Sequence, residues 1–121
     1  MDTRSKILSR DEALRLPRDT VTLVSGYFDG LRAAHVQDLA ALRAPVLVAV
    51  LPLDGELLPQ SARAEMVAAL RMVEYVVIAN EKELDALIEG LAPRELVRLE
   101  AADAARVRQL KDHVQGRQRL R

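Results

Sequence analysis

The chain has 121 residues, half of them hydrophobic, with 18 basic and 18 acidic side chains, no cysteine and only three aromatic residues, Tyr27, Phe28 and Tyr75. That is the size of one ordinary domain and too apolar for a disordered one. The missing cysteine excludes disulfides and thiolate metal sites, and the balanced charge names no partner. The opening "MDTRSKILSRDE" holds no apolar leader core and no run reaches the length of a membrane span, so the expectation is a cytoplasmic protein with no membrane partner.

Ser9 stands three residues before Glu12, the spacing of a capping box. It predicts a short helix that Pro17 ends. The apolar, β-branched run 21–26 reads as a buried strand. The next helix is expected over 31–43, with Leu31, His35, Leu39 and Leu42 on one face. Pro45 leads into a second strand, 46–51, and "PLDGELLPQ" is a loop with an Asp54-Gly55 turn. A helix over 61–73 turns Met66, Val67, Leu70 and Val73 inward, and 75–78 is a third strand. Asn80 and Glu83 repeat the capping-box spacing, predicting a helix over 81–90 ended by Gly90. Residues 95–100 read as a short edge strand. A last helix over 103–118 lines up Ala104, Val107, Leu110 and Val114. The order is a helix followed by βαβαβαβα. It predicts one α/β Rossmann-like domain over 1–121, a mostly parallel sheet with helices on both faces.

Residues 103–121 carry six basic and two acidic side chains, read as a solvated helix end. No aromatic platform accompanies them, so nucleic acid is not an expected partner. Two isolated histidines do not make a metal centre, and no G-x-S-x-G elbow is present.

The chemistry gathers in "SGYFDGLRAAHVQDL", residues 25–39. In a parallel sheet, ligands bind beyond the carboxyl ends of the strands, and the first βα turn is the usual place. Here that turn is Gly26-Tyr27-Phe28-Asp29-Gly30. Two glycines let a ligand approach the backbone, and a helix start behind them favours a phosphate. Asp29 stands where a carboxylate caps the helix or meets a ligand. His35 falls on the apolar stripe, as a core histidine or as a ligand contact. Arg63 and Glu65 read either as a surface pair or, for Arg63, as a phosphate contact.

A strand, Gly-x-Phe-Asp, and a helix with a histidine in its first turns resemble the nucleotidyltransferases of the G-x-F-D…H-x-G-H type. These are the cytidylyltransferases and sugar-phosphate adenylyltransferases, and above all the adenylyltransferase domain of ADP-heptose synthesis. Three blocks carry the likeness in order between about Lys6 and Asn80: "KILSRDEALRL", "SGYFDGLRAAHVQDL" and "RAEMVAALRMVEYVVI". The resemblance implies attack of a phosphate or alcohol on the α-phosphate of ATP or CTP, release of pyrophosphate, Mg²⁺ bridging the phosphates, and commonly a homodimer. It also implies phosphate or nucleotide contacts from Gly26, Tyr27, Phe28, Asp29, Gly30 and Arg63, and catalytic roles for Arg32 and His35.

The sequence departs from that pattern. The H-x-G-H positions read Arg32-Ala33-Ala34-His35, the loop 52–60 has no lysine, and no serine or threonine follows Ser61. Arg32 still offers a bidentate phosphate contact but cannot act as an acid near neutral pH. Two readings follow. One is a degenerate member that binds a ligand or partner without efficient nucleotidyl transfer. The other is an active adenylyl- or cytidylyltransferase acting on a sugar phosphate or related molecule. The stripe at 104–114 and the edge strand at 95–100 add the expectation of a homodimer.

Overall fold

The computed structural model describes residues 2–31 and 33–100. Five strands form one all-parallel sheet: β1 (Ile7–Leu8), β2 (Thr22–Gly26), β3 (Val46–Val50), β4 (Tyr75–Ile78) and β5 (Glu95–Arg98). Their order across the sheet is β1-β4-β3-β2-β5. Four helices connect them: α1 (Arg10–Leu14), α2 (Ala33–Ala40), α3 (Gln60–Ala68) and α4 (Glu81–Leu91). This is the α/β Rossmann-like architecture expected from the alternation of elements.

Strand residues alternate between two cores. Val24, Val48, Val50 and Val76 pack with Leu39, Ala64, Val67 and Ala68 of α2 and α3. Leu23, Leu47, Ala49 and Val77 pack with Ala13, Leu84, Leu87 and Leu91 of α1 and α4. The central strands β2 and β3 are buried along their whole length, which is why they read as unbroken apolar runs.

Both capping boxes form. The Ser9 hydroxyl accepts from the Glu12 amide at 3.1 Å, and the Glu12 carboxylate accepts from the Ser9 amide at 3.0 Å. The Ser9 amide and hydroxyl together hold the Glu12 carboxyl below its ordinary range. Asn80 and Glu83 exchange the same pair of bonds at 2.8 and 3.1 Å.

Several boundaries differ from the sequence reading. Strand β1 has no counterpart there: two residues are too few to show a period, and the strand forms because Ile7 and Leu8 pair with Val76 and Val77. Helix α2 covers 33–40 rather than 31–43, and α3 ends at Ala68 rather than at 73. The buried face of α3 is Arg63, Ala64, Val67 and Ala68, whereas Met66 and Leu70 are only partly buried. Helix α4 runs through Gly90 to Leu91, and Ala92 supplies the left-handed cap, with φ of 42°. Gly90 has a packing role instead, since a Cβ there would sit 2.7 Å from Leu14 Cδ2 of α1. The edge position of β5 agrees with the reading of 95–100, although the strand ends at Arg98. The helix expected over 103–118 lies outside the described residues. No helix among the described residues is long and apolar enough to cross a membrane.

Candidate functional site

The chain runs from β2 through β3 to β4 on one side, then crosses back to place β5 on the other side of β2. The strand order therefore reverses between β2 and β5, and a crevice at such a reversal is where open parallel sheets bind ligands. The candidate site consists of the turn after β2, the loop after β3, the first residues of α3, and Leu99 and Glu100 after β5.

The turn leaves β2 at Gly26 and reaches α2 at Ala33. Phe28 adopts a left-handed backbone, φ 53°, and turns its ring back beneath Gly26. Gly26 permits this: a Cβ there would lie 2.7 Å from Phe28 Cε2 and 3.0 Å from Cζ. The close approach that the glycine allows is thus to a side chain of its own turn. Gly30, φ 106°, is exposed, and a Cβ there would meet nothing. It serves the backbone turn. His35 on α2 is 5% exposed, with its ring tilted 58° to that of Phe28 at a centroid distance of 5.9 Å.

Gly26→Ala is expected to cost about 1–3 kcal/mol, because the buried Phe28 ring has nowhere to go. Gly90→Ala is expected to be close to neutral: it meets the end of a flexible leucine side chain, and alanine is the better helix former by about 1 kcal/mol. Urea denaturation of both variants measures the contrast, and equal losses would contradict this account of the turn.

Asp29 reaches across to a loop remote in sequence. Its carboxylate accepts from the amides of Leu57 at 2.8 Å and Leu58 at 3.0 Å, fastening the loop after β3 to the turn after β2. Two amides in succession bound to one carboxylate give the loop a fixed position over this end of the sheet.

Arg63 is wholly buried, which overturns the reading of a surface pair with Glu65. Its Nε donates to the Leu58 carbonyl at 3.1 Å. One terminal nitrogen donates to the carbonyls of Tyr27 at 2.6 Å and Leu51 at 2.8 Å. The other meets Glu56 Oε2 at 2.6 Å. A single guanidinium thus ties together the turn, the end of β3 and the loop. Its planar fork suits this task, and a lysine ammonium has no equivalent geometry.

Across the reversal, the Ser25 hydroxyl lies 2.9 and 2.7 Å from the two carboxylate oxygens of Glu100. Glu100 is 9% exposed, and Arg98 approaches it at 3.6 Å. Sequence reading missed this carboxylate. The only signal was its place just past a strand end, and the bond to Ser25 joins residues far apart in the chain. Gln60, at the start of α3, donates to the carbonyls of Val50 at 2.8 Å and Ala79 at 3.4 Å, closing the ends of β3 and β4.

The structure therefore brings Gly26–Gly30, His35 and Arg63 together around one turn, while Arg32 lies outside the described residues. Among the described residues, no group of three or more histidine, aspartate or glutamate side chains is placed to hold a metal ion.

No family model matches the chain. It is similar to the bifunctional protein HldE of Campylobacter fetus subsp. fetus, 38% identical over 77% of this chain and 23% of that protein. It is likewise similar to the bifunctional protein HldE of Wolinella succinogenes, 31% identical over 80% of this chain and 24% of that protein. The chain spans about a quarter of the length of these curated relatives. Taken with the three sequence blocks, the matches support a nucleotidyltransferase-like relationship for this chain.

Proposed function

We propose that this chain is a nucleotidyltransferase-like protein that binds a nucleotide or phosphorylated small molecule at the β2–β5 reversal without efficient nucleotidyl transfer. The observation that carries this reading is the state of Arg63. The side chain expected on phosphate donates instead to three carbonyls and to Glu56. The buried Glu100 carboxylate adds negative charge on the same end of the sheet, where a triphosphate would bring more. Such reactions draw most of their acceleration from preorganised charge stabilisation, and one lost donor costs about 10²–10³ in rate. Mg²⁺ would enter with the phosphates of the ligand, held by them and by water more than by protein carboxylates.

The alternative reading, an active adenylyl- or cytidylyltransferase acting on a sugar phosphate, is favoured by the HldE similarity and by His35 beside the turn. One experiment separates the two. ATP or CTP is mixed with Mg²⁺, sugar phosphates and the pure protein, and heat and pyrophosphate are followed together. The expected result is heat of binding with no pyrophosphate above background. Sustained turnover that disappears in His35→Ala would replace the proposed reading with the alternative.

A further inference from the structure

Arg63 has two kinds of partner. The carbonyls of Tyr27, Leu51 and Leu58 belong to the backbone framework of the site, so they stay where the turn, the end of β3 and the clasped loop put them. The fourth partner is the carboxylate of Glu56, on a loop residue whose side chain is 37% exposed, whereas that of Arg63 is 0% exposed. A buried guanidinium needs an anion, and removing its partner is costly. Nothing requires that the anion come from the chain. Next to Glu56 in the chain are Leu57 and Leu58, whose amides Asp29 holds. Its side chain can rotate into water and leave one edge of the guanidinium facing the loop, with the backbone clasp intact.

We propose that Glu56 is an internal stand-in for a phosphate: its carboxylate occupies the anion position on Arg63 and must be displaced by the anionic group of any ligand that uses this site. This rests on the anion-binding reading above and adds to it an autoinhibitory contact. The apparent affinity of a ligand for a site closed most of the time is its intrinsic affinity reduced by the open fraction. Weakening the contact that closes the site therefore tightens binding without a new contact. Glu56→Gln keeps the size of the side chain and an oxygen that accepts from Arg63, and removes the charge that competes with the ligand.

The test uses inorganic pyrophosphate as probe, titrated calorimetrically into the full chain at fixed ionic strength. Glu56→Gln is expected to bind pyrophosphate about tenfold more tightly than the unsubstituted protein. Asp54→Asn is the control. Asp54 lies exposed on the same loop, and its loss makes the same change in net charge without touching Arg63. It is expected to change the affinity less than twofold. Thermal unfolding supplies a second readout: pyrophosphate should protect Glu56→Gln more than the unsubstituted chain, because the ligand restores the negative charge that the buried cation has lost. Equal affinity in Glu56→Gln and the unsubstituted protein would overturn the proposal, as would equal tightening by Asp54→Asn. Should ATP bind the unsubstituted protein while Glu56→Gln leaves pyrophosphate affinity unchanged, the stand-in fails and the ligand-binding reading survives. Should neither ATP nor pyrophosphate bind any of the three proteins, both fail.

Discussion

Arg63→Met is expected to destabilise the protein by about 3–5 kcal/mol. Methionine keeps much of the apolar volume of the side chain and removes every donor. The carbonyls of Tyr27, Leu51 and Leu58 then lose the hydrogen bonds that Arg63 made to them. A buried polar group left without a partner costs about 1–3 kcal/mol. Glu56 loses a 2.6 Å ion pair, but it is exposed enough to turn to water, so its share is small. Domains of this size hold roughly 5–15 kcal/mol in total, so the variant would sit near the edge of folding. Arg63→Lys should recover only part of the loss, since one ammonium cannot reach carbonyls on three separate segments. Urea denaturation measures both variants. A loss under about 1 kcal/mol in Arg63→Met would mean that the guanidinium is not what joins the turn to the loop.

Phe28→Ala is the second large effect, at about 3–5 kcal/mol. The ring is 1% exposed and packs in the α2–α3 core, against His35 and under Gly26. Truncation leaves a cavity beneath the turn, and the left-handed backbone at position 28 stays as unfavourable for alanine as for phenylalanine. Phe28→Leu refills most of the volume and should lose much less. Tyr27 is adjacent, so in a Tyr75→Phe background tyrosine fluorescence reports the turn during chemical denaturation. Similar losses for the leucine and alanine variants would show that the aromatic shape, and not the filled volume, holds the turn.

Much of the framework was legible because the central strands and both capping boxes have a local cause. Val46–Val50 is one apolar run and Tyr75–Ile78 another, and both appear where their composition places them. Ser9 with Glu12 and Asn80 with Glu83 announce helix starts through contacts only three residues apart. What escaped depends on distant partners. A charged residue on a helix reads as exposed, so the burial of Arg63 could not be seen before Tyr27, Leu51 and Leu58 were known to converge on it. The bonds that Asp29 makes could not be foreseen because the loop it fastens is remote in sequence. Gly90 looked like a helix stop because Leu14, whose side chain packs against it, lies on another helix. The same holds for Glu100, whose partner Ser25 is on a different strand.

The all-parallel ladder has a consequence for how the chain reaches this state. Thr22 pairs with Val46 on one side and Glu95 on the other, and Ile7 finds Val76, so no two neighbouring strands are joined by a tight hairpin. Each ladder must close a long stretch of chain before its first hydrogen bond forms, and that entropy is lost before any contact offsets it. The central pair, β2 with β3, has the shortest closure and the most buried residues, so it is the natural nucleus. The outer pair of β1 with β4 spans most of the fold and rests on two residues. With two paired positions it has the fewest ladder bonds to hold it, so it is the ladder expected to open first.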